Sequence, residues 1–387
     1  MLHKSWGEPP GPRGSPWTRC LHNQTSPMRS ALGPVSAVRG APDPRRNLRR
    51  SDRFAIESIM KPALCYSLLG VASFCGAQSQ PPQPRHATAA VLRAFDDHNI
   101  VMFGEAHGCK QEYEWLRELV ATPEFADRVD DIVVEFGNSL YQDSVDRYIA
   151  GESLPLAQVQ QAWLNVIGAI DAPSPVYESF YKAVREANLK RRGKRQMRIL
   201  LGGPPADWDT IRNREALIPF LENRDTWYAR QVKEEVLAKK RRALLIMGAG
   251  HFQRITPRGP GLHYIEQQLR AAGAGTWLIV FDTKIYDDPQ KRFAAWPLPA
   301  IVDLRGNWVG DIPASEEDFP GGSPKLGDTA DALLIVARAR EGLTVLSVPR
   351  AELEGTAYAT ELDRRMMILH GRRLTLQEKA EEPLEPR

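Results

Sequence analysis

The stretch "NIVMFGEAHGCKQEYEWL" (99–116) sets the reading of the whole chain. Its apolar run stops abruptly in Gly-Glu-Ala-His-Gly. The following "KQEYEWLRELVATPEFADRV" (110–129) places Tyr113, Leu116 and Leu119 or Val120 on one helical face. "DDIVVEFG" (130–137) is then a second short apolar run, interrupted by Glu135. Strand, helix and strand in that order predict parallel strands joined by a crossover helix.

The same alternation extends outward. "HATAAVLRAFDDH" (86–98) has helical spacing and leads into the first strand. Residues 139–192 read as helical with breaks at "GESLPL" and "DAPSP", too long for a simple loop, and predict a helical cap over one end of the sheet. Then come strand "MRILLGG" (197–203), loop "PPADWD", helix "RDTWYARQVKEEVLAKK" (224–240), strand "RALLIMGAGH" (242–251), helix "GLHYIEQQLRAAG" (261–273) and strand "TWLIVFD" (276–282). After a Pro- and Gly-rich stretch, "DALLIVA" and "LTVLSVP" supply two more strands, and "ELDRRMMILHG" a helix. The predicted fold is α/β, with a mostly parallel central sheet flanked by helices and a helical insertion. It forms a single domain over 78–370, with 371–387 as a frayed tail.

The N-terminal part differs in kind. Residues 1–59 carry ten Lys or Arg against four Asp or Glu, and 1–53 show no strand or helix period, so 1–59 reads as a disordered or upstream segment. From Met60, one Lys, an apolar stretch to Phe74 and small residues before a Pro-rich segment have the layout of a signal peptide over 60–77, with Met60 as an alternative start. Cleavage after Ala77 would leave Cys109 as the sole cysteine, so an exported product, periplasmic or extracellular, would have no internal disulfide. No stretch is apolar enough for a membrane span. Residues 78–387 carry a net charge of −4, which gives no nucleic-acid footprint. The partner expected is a small molecule or a peptide.

In an open α/β sheet, ligands bind beyond the carboxyl ends of the strands. The predicted strand ends bring Glu105, His107, Glu135 and His251 to one rim, with Asp207 and Asp209 in a nearby loop where Asp commonly serves as a turn residue. Glu105 and His107, two apart, share a side of an extended backbone. Glu135 on a buried strand needs a compensating partner: His107, His251, Arg224 or an ion. Two Glu and two His make a mixed oxygen and nitrogen set for Zn²⁺ or Mn²⁺, and the same groups can serve without metal, a His acting as general base. Cys109 beside His107 is a candidate nucleophile, although a lone small Cys is more often a packed core residue. "GGPP" and "GAGH" lack the spacing of a phosphate loop.

"GEAHG", Glu135, "NRDTWYARQVKEEV" and "LLIMGAGHFQR" together resemble the superfamily that includes erythromycin esterases, ChaN-like haem-binding proteins and the TraB and Tiki proteins, over roughly 95–285. A single residue, Ala106, between Glu105 and His107 is more similar to the ChaN or Tiki branch than to the esterases. The resemblance implies a hydrolase acting on an ester or a peptide. Glu105, His107, Glu135 and His251 would be catalytic or metal-binding, and Arg224 an anion partner. The alternative it implies is a haem-binding protein with Tyr113 as an axial ligand.

Overall fold

A computed structural model describes residues 80–168, 174–255, 264–314 and 324–384. The predicted signal at 60–77 and the segment before it lie outside the described residues.

The central sheet has eight strands: β1 (Arg85–His86), β2 (Ile100–Glu105), β3 (Asp131–Asn138), β4 (Arg198–Gly203), β5 (Ala243–Gly248), β6 (Thr276–Phe281), β7 (Ala300–Asp303) and β8 (Ala332–Ile335), in the order β1-β7-β8-β6-β2-β5-β3-β4. The six strands from β8 to β4 run parallel, and β7 and β1 close one edge in antiparallel pairs. The fold is therefore the predicted mostly parallel α/β sheet. β2 is buried at all six positions because both of its faces are covered, which is why it reads as an uninterrupted apolar run.

Strand alternation sorts the core into two layers. Val101, Phe103, Ile132, Val134, Leu244 and Ile246 face one side. Ile100, Met102, Val133, Leu245 and Met247 face the other. The first layer is covered by α1 (Ala87–Asp97) and α2 (Lys110–Ala121), and by the crossover from β3 to β4, which contains α4 (Gln142–Ile149), α5 (Leu156–Leu164) and α6 (Pro175–Leu189). The second layer is covered by α8 (Arg224–Val232) and α9 (Ile265–Ala271). The insertion is helical as expected, and it spreads over the sheet face, where Tyr177, Phe180 and Tyr181 pack with Phe136 of β3.

Four local readings change. The single helix expected over 110–129 is two, because Pro123 lacks an amide hydrogen and opens a second helix, α3 (Pro123–Arg128), after an extended Thr122. The helix expected to begin at Arg224 follows another, α7 (Arg214–Glu222). "LTVLSVP" supplies β9 (Thr344–Leu346), which lies outside the central sheet. Its partner is β10 (Glu381–Pro383), inside the tail expected to fray. Leu384, just beyond, is buried in the core.

This strand pair has a purpose near the rim. Leu346 donates its amide to the Gly108 carbonyl at 2.9 Å, Gln111 bonds Thr344, and Lys110 bonds Glu381, so the strand pair braces the turn that carries His107. Gly108 itself has φ +75, and a Cβ there would lie 2.9 Å from Val345 Cγ1, so the turn requires glycine.

Candidate functional site

The chain connections fix where a ligand crevice opens. β2 leads into α2 on one face, whereas its neighbour β5 leads toward α9 on the opposite face. Loops that part in this way leave a gap beyond the strand ends, at the topological switch point. Glu105 ends β2 and His107 follows it, His251 follows β5, and Glu135 lies on β3, the other neighbour of β5. The four residues read from sequence thus meet at one place.

Glu105 is fully buried, and its Oε1 lies 3.0 Å from Nδ1 of His107. That bond leaves Nε2 of His107 facing Glu135 Oε2, at 3.9 Å. β3 shifts register against β4 between Val134 and Asn138, an irregularity of the kind that re-aims a side chain beside a site. Glu135 reaches across to β5: its Oε2 accepts the Gly248 amide at 2.7 Å, and its Oε1 lies 3.1 Å from Nε2 of His251. One ligand atom from each of Glu105, His107 and Glu135 lies within 4.8 Å of the others.

His251 stands behind this triad. Its Nδ1 is 2.5 Å from Oδ1 of Asp225, so both ring nitrogens are engaged by carboxylates, and Tyr228 packs edge-on against the ring. Burial by itself would push the imidazole pKa down, but the charges of Glu135 and Asp225 overcome it and raise the value to about 9. His251 is therefore an imidazolium at neutral pH. The group whose ligand atoms converge is Glu105, His107 and Glu135, and His251, expected as a fourth member, meets it through Glu135. Burial likewise opposes the ionised form of Glu135, yet the cationic His251, then His107, the His251 hydrogen bond and Arg224, hold its carboxyl well below the usual range.

Arg224 opens α8, one residue before Asp225, and its charge acts on both Glu135 and His251. Tyr113 is only 1% exposed. Phe136, Tyr177 and Phe180 surround its ring, and burial together with the nearby Glu105 carboxylate raises its pKa well above the phenol value. The predicted axial haem ligand thus lies in the core beneath the site, its hydroxyl turned to Glu105. Asp207 accepts the Asp209 amide at 2.9 Å, the turn role expected of it. Cys109 is buried at the start of α2.

Three participants, Asp225, Glu112 and Gly248, escaped sequence reasoning, and a fourth, Tyr177, was legible only as one of the aromatic residues of the insertion. Asp225 fixes His251, but an acidic residue in a first helical turn is ordinary. Glu112, fully buried, accepts the Ala106 amide and holds the turn before His107. Tyr177 from the insertion receives the Gly108 amide and lies in the field of Glu105 and Glu135, with burial the main cause of its raised pKa. Gly248 makes the convergence possible: a Cβ there would sit 2.7 Å from His107 Nε2 and 3.3 Å from Glu135 Oε2. A small open depression lies beside this rim, with Ala249, Phe252, Gln253, Val280 and Asp282 in its wall.

No family model matches the chain, and no curated protein matches it. Solved structures similar to it include the type III effector HopBA1, 16% identical over 53% of this chain and 88% of that one, with a TM-score of 0.33. A Bacillus cereus protein is 12% identical over 66% and 94%, with a TM-score of 0.42. ChaN of Campylobacter jejuni, described for cofacial haem binding, is 11% identical over 64% and 91%, with a TM-score of 0.36.

Proposed function

We propose that the rim is a divalent-metal centre of a hydrolase acting on an ester or a peptide, in a chain exported through the segment at 60–77. The observation that carries this reading is the convergence of Glu105, His107 and Glu135, whose ligand atoms lie within 4.8 Å around the space left by Gly248. One imidazole nitrogen and carboxylate oxygens suit Zn²⁺ or Mn²⁺. A bound ion would supply a water whose pKa falls toward neutrality.

The chain's own residues have distinct tasks. Glu105 takes the Nδ1 hydrogen of His107 and so fixes which nitrogen faces Glu135. The Gly248 amide and the His251 imidazolium hold Glu135 in its ionised form. Asp225 keeps His251 oriented and charged, leaving proton acceptance to groups in front of it. Arg224 adds positive potential suited to an oxyanion.

The test is metal analysis of the full chain purified without chelator, beside His107→Ala and Glu135→Gln. Near-stoichiometric Zn or Mn that disappears in both variants, with ester or peptide hydrolysis blocked by chelator, is the expected result. Metal absent from the wild type refutes the centre. A Soret band on haem titration of that metal-free protein would transfer the assignment to the haem-binding alternative.

A further inference from the structure

The helical insertion reaches the rim through one face of α6. Tyr177 and Tyr181 lie four residues apart on that helix, about one turn, so both rings leave the same side. Both are buried, and both meet Phe136, the residue after Glu135. Tyr177 stacks on the Phe136 ring with centroids 4.4 Å apart, and Tyr181 lies edge-on to it at 6.0 Å. Their hydroxyls diverge. Tyr181 donates to the Phe136 carbonyl at 3.1 Å, whereas Tyr177 receives the amide of Gly108, the residue after His107. One helix face is thus bonded to the backbone beside two members of the converging group.

The Phe136 bond falls where β3 lacks a ladder. β3 pairs with β4 and β5 as far as Val134, and pairing with β4 resumes only at Asn138. Glu135, Phe136 and Gly137 form the interruption, and a buried carbonyl released from a ladder must find another donor or bear a desolvation cost. Tyr181 supplies that donor. Gly137 admits it, since a Cβ there would lie 3.0 Å from the Tyr181 hydroxyl. The helix is itself anchored. Glu178 accepts a bond from Gln160 of α5 at 2.8 Å, and Asn188 bonds both the amide and the carbonyl of Met197, the residue before β4. A helix tied to the sheet in this way holds its two hydroxyls at a set separation.

We propose that Tyr177 and Tyr181 are positioning residues of the rim, with α6 acting as a spacer that sets where His107 and Glu135 stand relative to each other. The inference rests on the reading of Glu105, His107 and Glu135 as a metal centre. Tyr181 acts on Glu135 through the interruption in β3, and Tyr177 acts on His107 through the Gly108 turn. Both act through backbone.

The test compares Tyr177→Phe, Tyr181→Phe and Tyr358→Phe in the full chain. Tyr358 is the control, because its hydroxyl bonds the Leu164 carbonyl at 3.2 Å in a separate core cluster. Each variant keeps its ring, and circular dichroism checks that all three fold. One readout is Zn²⁺ and Mn²⁺ affinity by titration. The other is amide exchange, in chelator-treated protein, at Gly248, whose amide donates to Glu135 Oε2. Tyr177→Phe and Tyr181→Phe should each weaken metal binding at least about tenfold, while Tyr358→Phe leaves it unchanged. Gly248 exchange should quicken about fivefold in Tyr181→Phe, the equivalent of one lost hydrogen bond, and keep the wild-type rate in Tyr358→Phe. A purely structural role would loosen all three variants alike in both readouts, and that result overturns the proposal. So does wild-type behaviour of Tyr177→Phe and Tyr181→Phe. Metal missing from the wild type removes the centre but not this proposal, which the exchange readout then decides: faster Gly248 exchange in Tyr181→Phe upholds it, and an unchanged rate overturns it.

Discussion

The buried imidazolium makes a quantitative prediction about stability and pH. His251 rises from an ordinary 6.5 to about 9 through Glu135 and Asp225, against the opposing effect of burial. A group whose folded pKa exceeds its unfolded value stabilises the fold fully below the unfolded value and progressively less as pH climbs to the folded one. The window is therefore pH 6.5 to about 9, an interval of about 2.5 pH units that at about 1.4 kcal/mol each amounts to about 3 kcal/mol. The assay is urea unfolding of chelator-treated full chain at pH 6 and pH 9.5, with wild type and His251→Gln measured in parallel so that other titrating groups cancel. Wild type should lose about 3 kcal/mol more than the variant between the two pH values. The opposite sign is expected at the acid end. The depressed Glu135 carboxyl stabilises above its ordinary pKa and ceases to do so as pH falls below its folded value. Parallel wild-type and variant curves from pH 6 to 9.5 would show that His251 is neutral in the folded protein, and the assignment of its two nitrogens as donors would fall.

Three other perturbations test the surrounding geometry. Gly248→Ala drives a Cβ against His107 Nε2 and Glu135 Oε2, so metal affinity measured by titration should drop at least tenfold, with a stability cost of about 1–3 kcal/mol by urea unfolding. Tyr113→Phe keeps the ring contacts with Phe136, Tyr177 and Phe180 while removing the hydroxyl turned to Glu105. A loss of about 1 kcal/mol in unfolding free energy, with unchanged haem titration, is expected. Ending the chain at Gln377 removes β10 and the buried Leu384, so stability should fall by about 1.5–3 kcal/mol, and amide exchange at Gly108 and Cys109 should accelerate as the His107 turn loses its brace.

How much of the site was legible follows from what burial does to sequence. β2 and β3 are covered on both faces, so their apolar runs are continuous, and a carboxylate breaking such a run stands out: Glu105 and Glu135 announce themselves. Their distance in space was a different matter. That β5 inserts between β2 and β3 is a property of the ladder order, and only that order brings Gly248 and His251 against Glu135. Local sequence carries strand periodicity but not which strand lies beside which. Asp225 was hidden for a related reason, since the helix start that displays it accounts for an acidic residue on its own. The tail misled in the other direction. Glu381–Pro383 is short, charged and of low β-propensity, and it pairs because the turn at Gly108 holds β9 in place to receive it. In this chain the chemistry-bearing residue types are visible wherever burial makes them costly. Their partnerships appear only where non-local strand pairing places them.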